Sequence, residues 1–127
     1  MIEANNLEAL LREWASIDPG DCRVENDVQG QEMIYLCCGD LYIYFEDLRI
    51  CVDDFDYREV GGRVLWPLCL AIESKRWGYT ILRDQLPDGS WVHIATVRVS
   101  RIGFNGSGNS PEFVLLSAYL QALKATA

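Results

Sequence analysis

The segment SPEFVLLSAYLQALKA (110–125) leaves the chain few ways to fold. Phe113, Leu116, Leu120 and Leu123 recur at helical spacing, and Leu115, Tyr119 and Ala122 form a second apolar stripe beside them. Only Ser117, Gln121 and Lys124 make a polar edge. A helix this broadly apolar belongs either at the centre of a fold or in an interface. In the second case its second stripe would pair with its own copy, making a homodimer through the C-terminal helix. The start of the helix is also legible. Ser110 is an N-cap, Pro111 fits N1, and Glu112 lies in the first turn near the positive end of the dipole.

The strands that must cover such a helix are written upstream. YTILRDQ (79–85), LPDGS (86–90) and WVHIATVRVS (91–100) predict a hairpin, because proline fixes φ and glycine accepts φ > 0 in the turn. Val92, Ile94, Thr96 and Arg98 share one face; Trp91, His93, Ala95, Val97 and Val99 share the other. EMIYLC (32–37), LYIYFE (41–46) and LRICVD (48–53) read as three short strands rich in Ile, Tyr, Val and Phe. Gly39-Asp40 is expected to make a tight turn between the first two.

Two more helices complete the reading. Leu7, Leu10, Leu11 and Trp14 form an amphipathic stripe, Glu8 and Arg12 are a favourable i,i+4 pair, and Asp18-Pro19-Gly20 ends the helix. RVLWPLCLAIESKRW (63–77) predicts a helix with Pro67 in its first turn and Gly78 as its terminating residue. The expectation is one α+β domain over residues 1–127, ordered α-βββ-α-ββ-α. Its sheet is mostly antiparallel, with helices packed on one face.

Half of the 127 residues are hydrophobic, enough for a core without metal or disulfide staples. No apolar run approaches the roughly 18–20 residues that span a bilayer, and the acidic start lacks the pattern of a signal peptide. A cytoplasmic location and no membrane partner are expected. Cys22, Cys37, Cys38, Cys51 and Cys69 are odd in number and form no C-x-x-C pair. Cys37 and Cys38, on one strand, would point to opposite faces, so the cysteines read as small buried hydrophobes in a reducing compartment.

The net charge of −8 is unevenly spread. Residues 1–62 hold 15 acids and four bases, a net −11; residues 63–127 hold four acids and seven bases, a net +3. An acidic first half repels nucleic acid and attracts basic proteins.

GFNGSGNS (103–110) places Gly103, Gly108 and Ser110 where a P-loop would have them, but Asn109 stands at the lysine position. Without that ammonium the β/γ-phosphates lose their partner. Helix entry explains every residue of the segment; a small-ligand or nucleotide site near this loop is the alternative.

The stretch WGYTILRDQLPDGSWVHIATV…GFNGSGNSPEFVLLSAYLQAL resembles the C-terminal half of small uncharacterised phage and prophage proteins, over residues 64–125. They share a Gly-Tyr strand, a glycine-containing hairpin and a G-x-G-[DN]-S-P helix entry. The resemblance implies a viral or mobile-element setting, with the host cytoplasm as location, and no particular chemistry.

Several chemistries lack their parts. His93 is the single histidine and lies mid-strand, with no nucleophile elbow in the chain. DDFDYRE (53–59) offers hard oxygen ligands, but Arg58 and Glu59 occupy places an EF-hand gives to other residues. The final helix opens on Asn109, Ser110, Pro111 and Glu112, where a double-stranded RNA-binding domain would carry lysines. No enzyme activity, cofactor, metal or direct nucleic-acid contact is therefore expected.

What remains is an acidic band interleaved with aromatics: Asp40, Tyr42, Tyr44, Glu46, Asp47, Asp53, Asp54, Asp56, Tyr57 and Glu59. Carboxylates accept bidentate arginine, and tyrosines supply contact area. The band predicts a surface that docks on a basic, nucleic-acid-binding host protein. The function expected is inhibition of a nucleic-acid-handling or defence protein, of the anti-CRISPR kind.

Overall fold

The final helix, α4 (Pro111–Thr126 of the computed structural model), is the axis around which the chain packs. The structure describes residues 2–49 and 59–127. Along α4, Val114, Leu115, Leu116, Ala118, Tyr119, Leu120, Ala122 and Leu123 are all buried. Both apolar stripes, apart from the half-buried Phe113, are thus covered within the chain. Ser110 caps it as expected: its hydroxyl accepts from the Phe113 amide at 3.4 Å.

The remaining elements, in chain order, are α1 (Ile2–Ile17), β1 (Cys22–Asn26), β2 (Glu32–Leu36), β3 (Leu41–Tyr44), α2 (Phe45–Arg49), α3 (Leu65–Ser74), β4 (Gly78–Gln85), β5 (Trp91–Val99) and β6 (Ile102–Gly108). The strands form two separate antiparallel sheets, β1-β2-β3 and β4-β5-β6. The fold is α+β, as the periodicities imply, but with two small sheets instead of one. A single cluster of buried side chains joins α1, both sheets, α2, α3 and α4.

The second sheet matches its sequence signals well. β4 and β5 pair from Gly78↔Arg98 to Gln85↔Trp91, and the Pro-Asp-Gly turn puts Gly89 at φ 90°. Ala95 and Val97 are buried on the face that carries His93 and Val99. Packed over β5 and β6, α4 covers that face. The third strand, β6, occupies the glycine-rich segment before α4. Gly106 makes it possible: a Cβ there would collide with the Val114 carbonyl of α4 and lie 3.1 Å from Ser117 Cβ.

Three further expectations are corrected. The strand expected over 48–53 does not begin, because Phe45–Arg49 is helical with Phe45 and Leu48 buried three residues apart; residues 50–53 lie outside the described chain. Its neighbour over 41–46 ends at Tyr44 for the same reason. Cys37 and Cys38 lie in a 3-10 turn, Cys37–Gly39, instead of a strand, and Asp40 follows in the left-handed region at φ 49°. Cys22, Cys37, Cys38 and Cys69 are free thiols, Cys22 and Cys69 buried.

The end of α3 also differs. The amides of Arg76 and Trp77 bond back to the Glu73 and Ile72 carbonyls at 2.9 and 3.3 Å. That is a Schellman closure, and its left-handed residue is Arg76 at φ 62° instead of Gly78.

Candidate functional site

The expected site begins on a strand that sequence reading missed. CRVEN (22–26) alternates weakly, yet it pairs with β2 through a five-residue loop, from Cys22↔Leu36 to Asn26↔Glu32. Asp27 builds the loop. Its Oδ1 accepts from the amides of Gln29 and Gln31 at 2.8 and 3.0 Å, and Gly30 takes φ 83°. Because side chains alternate, the register sorts the first sheet into two faces. Cys22, Ile34, Leu36 and Ile43 point into the core. The opposite face carries two cross-strand rows: Arg23, Tyr35 and Tyr42, then Glu25, Met33 and Tyr44.

The first row is a stack. The rings of Tyr35 and Tyr42 lie 4.5 Å apart at 29°, and the Arg23 guanidinium sits 5.2 Å from the Tyr35 ring centre. Tyr42 is 47% exposed.

Carboxylates surround the stack and hold its hydroxyls. Tyr35 donates to Asp40 Oδ1 at 2.8 Å, and Tyr44 donates to Asp27 Oδ2 at 3.1 Å. The bond to Asp40, then desolvation, pushes the Tyr35 hydroxyl up to about 12. Desolvation followed by the Glu25 and Asp40 charges raises Tyr42, and the bond to Asp27 raises Tyr44. All three remain protonated donors at neutral pH. Asp27 is lowered, first by the Gln31 amide, and stays ionised. Glu46 accepts from Gln31 Nε2 at 3.2 Å, and the charge of Asp47 reaches Tyr44.

Of the ten residues expected to form the docking surface, the structure gathers Asp40, Tyr42, Tyr44, Glu46 and Asp47 at this sheet and the helix beside it. Asp53, Asp54, Asp56 and Tyr57 lie outside the described residues. Glu59 is exposed in a different element, the helical residues 59–61. Sequence reading missed Arg23, Glu25, Asp27 and Tyr35. Their alternation in phase with Tyr42 and Tyr44 becomes visible only once β1 is recognised as a strand.

The alternative site, 103–110, has a different geometry. Residues 102–108 run antiparallel to β5, whereas a P-loop follows a parallel strand. At the helix start, Glu112 is 3% exposed. His93 stands between Arg83 and Gly108 in the sheet, with Nδ1 buried and without a hydrogen-bond partner. Among the described residues, no three His, Cys, Asp or Glu side chains converge as metal ligands, and no helix is long and apolar enough to cross a membrane. No family model, curated protein or solved structure matches the chain.

Proposed function

We propose that the protein is a non-enzymatic binding protein of phage type. It inhibits a basic, nucleic-acid-handling host protein, such as a defence nuclease, by docking through the outer face of its first sheet. The observation that carries this reading is the exposed Tyr35–Tyr42 stack set among Glu25, Asp27, Asp40 and Glu46. Stacked aromatics supply rigid contact area with little side-chain entropy to lose, which suits an interface centre. The surrounding carboxylates present negative charge that complements a basic groove and repels nucleic acid itself.

The test is capture from the heparin-retained proteins of a bacterial host, a fraction enriched in nucleic-acid binders. Wild type is expected to retain a basic protein that high salt releases, and a variant combining Tyr42→Ala with Asp40→Lys is expected to lose it. Equal retention by both proteins, or retention that salt does not affect, would refute the reading.

A further inference from the structure

The row Arg23–Tyr35–Tyr42 runs across all three strands and stops at β3, the edge of the sheet. Each member stacks on the next: guanidinium over ring, ring over ring. Tyr42 ends the row with nearly half of its surface open. Tyr42 therefore has a ring neighbour in Tyr35 and, among the described residues, none beyond the edge strand.

One carboxylate beside the tyrosines has acceptor capacity left. Asp40 uses Oδ1 for the Tyr35 hydroxyl. Glu25, on the far edge strand β1, is tied to the Tyr42 hydroxyl, and its charge raises that group. The second oxygen of Asp40 can accept from an incoming N–H group.

We infer that Tyr42 and the Asp40 carboxylate form a recognition site for an arginine side chain of the partner, which continues the Arg23–Tyr35–Tyr42 stack. This rests on the docking role proposed above and names the chemistry recognised. Planarity decides between arginine and lysine. A guanidinium lies flat on a ring while its in-plane N–H groups reach carboxylates; an ammonium is a compact, strongly hydrated point charge that cannot do both. The stack already seats one guanidinium, that of Arg23, on the neighbouring ring.

The experiment is titration calorimetry with a short arginine-rich peptide and its lysine-for-arginine counterpart, which carry equal charge. Wild type is expected to bind the arginine peptide about five- to tenfold more tightly. Tyr42→Ala is expected to bind both peptides alike at the weaker level, and Tyr42→Phe, which keeps the ring, to retain the preference. Asp40→Asn suits the left-handed backbone at φ 49° and should lower the preference without disturbing the fold. In wild type, ring-current shifts of the bound arginine side-chain protons provide a readout independent of any variant. Equal affinity of wild type for the two peptides would overturn this inference and leave charge-driven docking standing. No binding of either peptide would overturn both. A preference that survives Tyr42→Ala would place the arginine elsewhere and refute the site.

Discussion

Two residues show how local backbone demands and tight packing act in opposite directions. Arg76 closes the Schellman motif of α3 at φ 62°, where a Cβ costs about 1–2 kcal/mol. Glycine would avoid that cost and give back about 0.5–1 kcal/mol in chain entropy. Arg76→Gly is therefore expected to stabilise the fold by up to about 1 kcal/mol, read as a higher urea midpoint with an unchanged slope. Gly106 poses the reverse case. A glycine within a strand ordinarily gains from replacement by alanine, but here the added Cβ meets the backbone of α4 at Val114 and Ala118. Neither backbone atom can rotate away as a side-chain tip could. Gly106→Ala is expected to cost about 1–3 kcal/mol, the usual range for overpacking, and thermal denaturation would measure it.

Among the elements, α2 is held by a charge network whose pH response can be worked out. The carboxylate of Glu8 receives Arg49 at 2.9 and 2.7 Å and Arg12 at 3.1 Å, while Arg12 also holds Glu32 at 2.8 Å. Arg12 lies 4.2 Å over the Phe45 ring as well, so α1, β2 and α2 share one junction. The Arg49 hydrogen bond leads the causes that hold Glu8 below its ordinary value of 4.5, against an opposing desolvation. A depressed carboxylate adds stability above its unfolded value and loses it as pH falls through the folded one. Glu8→Gln is expected to cost about 1–2 kcal/mol near neutrality. The difference from wild type should vanish well below pH 4.5, followed by denaturant titration across the acid range. This junction also explains a misread element. Leu48 and Phe45 looked like strand residues, but their burial three apart and the anchoring of Arg49 on Glu8 make the segment helical. Elements with strong local signals, α1, α4 and the Pro-Asp-Gly hairpin, were legible in the sequence. β1 and β6 were not, because CRVEN is mostly polar and IGFNGSG owes its strand to the close approach of α4. The same gap hid half of the tyrosine face, since Arg23 and Glu25 belong to β1.

At the scale of the molecule, the division of charge along the chain follows its division into elements. Residues 1–62, net −11, supply α1, the first sheet and α2; residues 63–127, net +3, supply the second sheet, α3 and α4. Lys124 pairs with Glu13, and Lys75 lies 3.5 Å from Asp18, so part of the second half's positive charge secures the contact with α1. The outer face of the first sheet keeps Glu25, Asp27 and Asp40 around the tyrosines with Arg23 as the basic member of the rows. On the docking role proposed above, the field of a basic partner is expected to turn the molecule before contact so that the tyrosine face leads the approach. Long-range steering is screened over about 8–10 Å at moderate salt, whereas ring stacking and hydrogen bonds formed after contact are short-range. The two stages should therefore separate in kinetics. Binding of an arginine-rich peptide, followed by stopped-flow tyrosine fluorescence, is expected to show an association rate that falls about tenfold or more as salt is raised. The dissociation rate should change by less than about threefold, because the bound state is held by contacts that salt screens poorly. If salt instead acted mainly on dissociation, the long-range field would have no part in recognition, and the charge division would serve solubility alone.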